Sequence, residues 1–456
     1  MDNTHEGRVS SLLVPSRHSS RRSGHSVADM STTERLCRPW MSPLPVLFTG
    51  FAVFSLVLAM ETTQQPHRVW GVCAVVTYAT AAVVTLASQR TRAGGRLHPH
   101  LLWSVVAGAL MLPTILLTAT GQLEVRVVAE SARRLLDEGT PYAVSPTDVG
   151  DYNPYSPMMA VIGLPRAWWG DGMLTDPRLW CAAVLVACLV CARRLVGRPR
   201  TTGHRLLLVA AGSPLVAVTV ASSGVDLPVT GAVILALAAA VSGRHGVAGT
   251  AVGVAVAMKW TAAPVLAVVV IVLWRRYSRR AASLAAVGAA GVAVVVTFCG
   301  TGADLGGFVH HTLGFPLGRG VVPTPAGDSL LGGLVHDVPA LSWFPYGVLA
   351  GVAGGLLWVL TTQRLEITTV ATCTAAGFTA LFLLAPTARE GYFVLPLLIV
   401  AAVHAYRPAG KAVCLGWFLR WTAGHSGTDP TPDAATGQST VSHSKVIPPD
   451  QSPATQ

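Results

Sequence analysis

Arg193-Arg194-Leu195-Val196-Gly197-Arg198-Pro199-Arg200-Thr201-Thr202-Gly203-His204-Arg205 is a short basic link between two apolar stretches, 178–192 and 206–222. Moving outward in both directions, every second link in the chain has the same character. Gln89-Arg90-Thr91-Arg92, Ser242-Gly243-Arg244-His245, Arg275-Arg276 to Arg280, and Arg407 are basic, and the links between them hold most of the acids. Loops rich in Lys and Arg stay on the cytoplasmic side of a membrane. With the basic links placed there, 24 Lys/Arg and 8 Asp/Glu lie inside, against 9 and 14 outside. The alternation identifies a polytopic membrane protein with an acidic outer face.

Composition agrees. Hydrophobic residues make up 51% of the 456 and charged residues only 12%. A soluble chain of this length needs more polar surface. The net charge of +11 belongs to the cytoplasmic links and tails, so anionic lipid explains it and nucleic acid is no partner. The eight cysteines fall mostly inside or at the ends of apolar stretches, where they pack as small apolar side chains; no disulfide framework is visible.

The expected fold class is all-α, a transmembrane helical bundle of about 10–12 spans with two long external loops. The spans read as 44–60, 69–88, 101–120, 178–192, 206–222, 227–241, 247–258, 262–274, 282–298, 345–361, 367–385 and 391–405. Residues 1–42 form a basic, Ser/Arg/His-rich cytoplasmic tail, with no signal-peptide apolar region before Pro43 and an alternative start at Met30. Residues 43–408 form the membrane domain, and 409–456 a second cytoplasmic tail, polar and Pro/Thr/Ser-rich towards its end. The stretches 247–258 and 262–274 are too short to cross a ~30 Å core at ~1.5 Å per residue. They flank Met258-Lys259-Trp260-Thr261, so the pair reads as a broken hairpin that lifts Lys259 into the outer half of the membrane.

The external loops, 121–177 and 299–344, are longer than joining spans requires and point to function on the outer face. In the first loop Val128, Ala132 and Leu135 share a helical stripe, with Arg126, Glu130, Arg133 and Arg134 off it. This is a helix lying in the interface, with Glu130 spaced to pair with Arg126 and Arg134. Glu124 stands at the junction of span and interface, where a carboxylate is costly unless it faces a polar cavity. His310 and His311 are adjacent, and with His336 and Asp337 they match no metal template. No metal is expected. No Gly-rich phosphate loop follows a strand, so no nucleotide cofactor is expected either.

The order of motifs resembles the GT-C class of integral-membrane glycosyltransferases, and within it the actinobacterial polyprenol-phosphate-mannose-dependent mannosyltransferases. Their acid after an early span and following helix are similar to Glu124, Val127 and Ala129 to Leu136; their G-x-x-Y turn to Gly139–Tyr142; their Y-P-P to Tyr155-Ser156-Pro157. A later A-G-x-x-x-G-x-A-x-x-K-x-x-P block is similar to Ala248, Gly249, Gly253, Ala255, Lys259 and Pro264, with the lysine one residue late and the step to proline longer by two. Gly327-Asp328-Ser329-Leu330 stands for N-Q-S-L, and Ala385 through Tyr392 for S-P-x-x-W-x-H-Y. The departures are Glu124 for aspartate, Val128 for an aromatic, Gly327-Asp328 for Asn-Gln, and Gly391 for the histidine before Tyr392.

The resemblance implies transfer of a hexose, mannose first, from a polyprenyl phosphate to a glycolipid or glycan of the cell envelope. The expected setting is the outer face of the plasma (inner) membrane. An acceptor hydroxyl needs a carboxylate to take its proton: Glu124 first, then Asp226 and Glu390. The departing phosphate needs cations: Lys259 first, then Arg319 and Arg389. Tyr142, Tyr155, Pro157 and Tyr392 form the expected substrate loop. Two other readings stand beside this one, a transporter or lipid flippase and a non-catalytic member. The apolar stretches are almost free of charge and no internal repeat is visible, which weighs against transport.

Overall fold

The computed structural model describes residues 44–90, 121–197, 207–302, 304–323, 343–385 and 389–406. The expected span 101–120, both tails, Gly327–Leu330, His336 and Asp337 lie outside the described residues.

The described elements are helical. Six helices are long and apolar enough to cross a membrane, lying within α1 (Leu44–Glu61), α2 (Gln65–Arg90), α5 (Pro177–Val196), α10 (Arg279–Thr301), α12 (Phe344–Thr362) and α13 (Ile367–Leu384). Between them run shorter apolar helices: α6 (Pro214–Ser222), α7 (Asp226–Val241), α8 (His245–Met258), α9 (Pro264–Arg276) and α14 (Val394–Tyr406). Three others lie in the expected external loops: α3 (Leu123–Asp137), α4 (Ala160–Trp169) and the short α11 (Leu305–Val309). The chain is a multi-pass membrane protein of helices.

The centre of the bundle is α7. Its sequence, Asp226-Leu-Pro-Val-Thr-Gly-Ala-Val-Ile-Leu-Ala-Leu-Ala-Ala-Ala-Val241, is apolar on all sides, and nearly every residue is buried. A helix without a polar face belongs inside a bundle. Small residues let its neighbours close on one another. Gly224 faces Arg178 and Cys181, and Gly231 faces Leu185 and Cys188, so α5 and α7 run parallel. Gly249 and Gly253 press on the backbone of Ala285 and Ala289, so α8 and α10 are parallel too.

One end of the bundle carries the basic links. There Tyr277 Oη donates to Val241 O at 2.7 Å, and Tyr406 Oη to Leu189 O at 2.9 Å. Arg275 donates to Leu360 O and Gln363 O, which satisfies open carbonyls at the end of α12, and Arg276 donates to Leu365 O just beyond it. The opposite end carries Asp226, Lys259 and the two extended connections.

The hairpin expected around Lys259 is present. Helix α8 ends at Met258, Lys259 is extended (φ −152°), a 3-10 turn covers Trp260–Ala262, and Pro264 opens α9. With 14 residues, α8 reaches only about 21 Å of a ~30 Å hydrocarbon core. It is therefore shorter than a helix that crosses that core alone.

Two expectations are corrected. Stretch 206–222 is not one helix: Pro214 starts α6, and the chain breaks at Gly212-Ser213, where Gly212 O accepts from Tyr78 Oη at 2.6 Å. Glu130 does not pair with Arg126 and Arg134. It takes Arg133 at 2.9 Å, because Asp148 and Asp151 of the following turn draw Arg126 (4.0 Å) and Arg134 (3.6 Å) away. That turn is fixed by its own bonds, with the Asp151 carboxylate accepting from Thr147 N and Asp148 N at 3.0 Å. These amides hold the Asp151 carboxyl below the usual carboxylate range.

Candidate active site

Asp226 is the first residue of α7, where a helix N-terminus favours a carboxylate. The turn before it needs Gly224, whose φ is +72°. That turn is braced by Arg178, which is fully buried, grips the Asp176 carboxylate at 2.9 and 2.7 Å, and donates to Ala221 O at 2.6 Å. From the tip of the α8–α9 hairpin Lys259 reaches across. Its Nζ lies 2.6 Å from Asp226 Oδ1, and both side chains are nearly out of solvent.

The Lys259 ammonium sits over the Tyr392 ring, 4.0 Å from its centre, and 5.9 Å from that of Tyr155. Aromatic faces attract such a cation. A cavity of about 20 Å³, room for one water or a group of that size, opens beside the pair. Thr230, Thr261, Phe378 and Phe382 complete its walls.

The second carboxylate, Glu124, lies in the first turn of α3 and is 8% exposed. It is in an ion pair with Arg389. The two centres are joined by four consecutive residues entering α14. Arg389 takes Glu124, and Glu390 approaches His67 Nε2 at 3.7 Å. Gly391 lies against Asp226, and Tyr392 covers Lys259. Gln122 ties the other side: its N donates to Ser222 O at 2.9 Å, and its Nε2 lies 2.8 Å from His67 Nε2.

The first external loop is stitched to the same place. Ser156 N donates to Met258 O at 3.1 Å, next to Lys259. Tyr155 is buried, and its carbonyl accepts from Tyr142 Oη at 3.0 Å. Pro157 rests on Gly300. The loop is fixed from behind by His311, whose Nδ1 accepts from Asn153 N at 3.1 Å while Nε2 donates to Ala143 O at 3.0 Å. Both ring nitrogens are committed, and burial lowers the imidazole's pKa below its usual value.

Of the residues singled out in the sequence, Glu124, Asp226, Glu390, Lys259, Arg389, Tyr155 and Tyr392 therefore meet at one end of the bundle. Tyr142 and Pro157 stand behind them. Arg319 is exposed in the second loop, and no hydrogen bond or ion pair among the described residues joins its side chain to the others. Sequence reading passed over His67, Gln122 and the Asp176–Arg178 pair. His67 lies upstream of the motifs that were recognised, so nothing marked it. Asp176-Pro177-Arg178 did carry a signal, an N-cap aspartate with proline at N1, but one that marks a helix start rather than a site.

The sequence model of glycosyltransferase family 87 matches residues 153–387, just over half of the chain and including Asp226 and Lys259. The chain belongs to glycosyltransferase family 87. It is a helical membrane protein of a glycosyltransferase family, as its motif order indicated. Among solved structures it is similar to ArnT from Cupriavidus metallidurans bound to undecaprenyl phosphate, with a TM-score of 0.46 and 17% identity over 67% of this chain and 59% of that one. It is also similar to the apo state of the same protein, with a TM-score of 0.41 and 18% identity over 62% of this chain and 54% of that one. The chain thus spans less than two thirds of ArnT's length. No curated protein matches it.

Proposed function

We propose that this family 87 member transfers a hexose, mannose first, from a polyprenyl phosphate to a hydroxyl of a cell-envelope glycolipid or glycan. The reaction takes place on the outer face of the plasma (inner) membrane. The observation that carries this reading is the meeting of two carboxylate–cation pairs, Glu124–Arg389 and Asp226–Lys259, at the end of the bundle where the short helix α8 stops.

The acceptor oxygen attacks the anomeric carbon, the bond from that carbon to the phosphate oxygen breaks, and polyprenyl phosphate departs with the electron pair. The acceptor proton passes to a carboxylate. Glu124 takes that part, with Asp226 and Glu390 as the other acids within the cluster. Lys259 and Arg389 hold the phosphate and balance the charge it gains, and Arg319 is the further cation on the outer side. A phosphate that draws Arg389 to itself frees the Glu124 carboxylate to act as base. Tyr155 and Tyr392 border the reacting groups, while Tyr142 and Pro157 hold that border in place.

Purified protein in proteoliposomes, supplied with labelled polyprenyl-phosphate mannose and a glycolipid acceptor fraction, tests the reading. Transfer from the lipid-linked donor and none from a nucleotide sugar is expected. Transfer from the nucleotide sugar alone would overturn it.

A further inference from the structure

Resting on that reading, we propose that Gly391 is a specificity-determining residue: its missing side chain keeps Asp226 Oδ2 open to one hydroxyl of the transferred sugar. Asp226 has two oxygens with different surroundings. Oδ1 accepts from Lys259 Nζ at 2.6 Å, which fixes the plane of the carboxylate. Oδ2 faces Gly391, and a Cβ built on that glycine would stand 3.0 Å from it and 3.6 Å from Thr219 Oγ1. No hydrogen bond to Oδ2 occurs among the described residues.

The glycine is not there for its backbone. Gly391 is absent from the positive-φ glycines and sits in an ordinary 3-10 turn, Glu390–Phe393. An alanine can adopt that turn, so the room above Asp226 is what the glycine provides. Any side chain would press on a carboxylate that Lys259 prevents from swinging away.

Asp226 also lines a cavity, from whose walls Gly391 itself is absent, and that cavity has the character of a sugar contact. It holds about 20 Å³, and its walls combine Asp226 with Thr230, Thr261, Phe382 and Tyr392. An ionised carboxylate accepts strongly from a hydroxyl, and aromatic faces suit the C–H surface of a hexose. The space admits a single hydroxyl or hydroxymethyl, not a whole ring, so this position reads one substituent of the sugar.

The test is a set of polyprenyl-phosphate donors carrying the full sugar or one of its monodeoxy analogues, used by wild type, Gly391→Ala and Gly391→Ser. In wild type one analogue should be penalised by roughly 10-fold or more in kcat/KM, since a site that hydrogen-bonds a hydroxyl rejects the analogue lacking it. In Gly391→Ala the full donor should lose about that factor while the same analogue loses little, and serine should act like alanine. Equal thermal stability of the variants shows that the turn has folded. Loss spread evenly over all donors, or no loss at all, would overturn the assignment of Gly391. Wild-type transfer of the full sugar reports on the functional reading separately.

Discussion

At the scale of single residues, the site is organised by pairing. Two of the carboxylates proposed for catalysis, Glu124 and Asp226, are matched with cations proposed for phosphate binding, Arg389 and Lys259, which offsets their charge in a place where bare charges are costly. Replacing Glu124 by Gln keeps its volume and removes the base. Transfer should fall by roughly 10²-fold or more while the protein inserts normally, as read by initial rates in membranes holding equal amounts of each form. Wild-type rates in that variant would move the proton transfer to Asp226 or Glu390. His311 makes a different expectation. Burial holds it neutral in the folded loops, so the unfolded state binds the extra proton as pH drops. Its contribution is therefore complete above the usual histidine pKa of about 6.5 and declines as pH falls below it. Protease sensitivity of segments 143–153 and 310–321 should rise between about pH 7.5 and 5.5, and His311→Gln should abolish that pH dependence.

At the scale of elements, the α8–α9 hairpin carries Lys259 to Asp226, and its sequence made the break between the two helices legible. Two apolar stretches too short to span, with a lysine between them, leave few other arrangements. Packing on α10 then depends on Gly249 and Gly253. Gly249→Leu should cost about 1–3 kcal/mol and lower the thermal midpoint, because its side chain would meet the Ala285 backbone. The same change at Gly351, which has open space around it, should cost far less. Other elements were less legible. The break before Pro214 lies within an apolar run, and hydropathy cannot register a backbone kink. The Glu130 pairing failed for a related reason. Helical spacing offered two arginines, but the aspartates that claim them lie on a turn whose position follows from tertiary structure.

At the scale of the whole molecule, the apolar stretches and their alternating basic and acidic links made the helical membrane class legible and set an expected direction for each helix. They could not show that residues 389–392 would bind Glu124, His67, Asp226 and Lys259 into one cluster. Those contacts join segments more than a hundred residues apart, and no local pattern encodes them. The orientation itself is open to test by cysteine labelling from outside. A cysteine at Asp148 should react with an impermeant reagent and one at Arg198 should not; the reverse would place the site on the cytoplasmic face.

The most direct measurement is the donor dependence of sugar transfer for Lys259 variants, using polyprenyl-phosphate mannose in membranes carrying equal amounts of protein. Lys259→Met keeps the apolar stem and removes the charge facing Asp226 and Tyr392. It should raise the donor KM and lower kcat, while Lys259→Arg keeps part of the activity because arginine also binds phosphate. If Lys259→Met matches wild type at every donor concentration, the charge at the tip of the hairpin does not hold the donor phosphate, and the central claim fails.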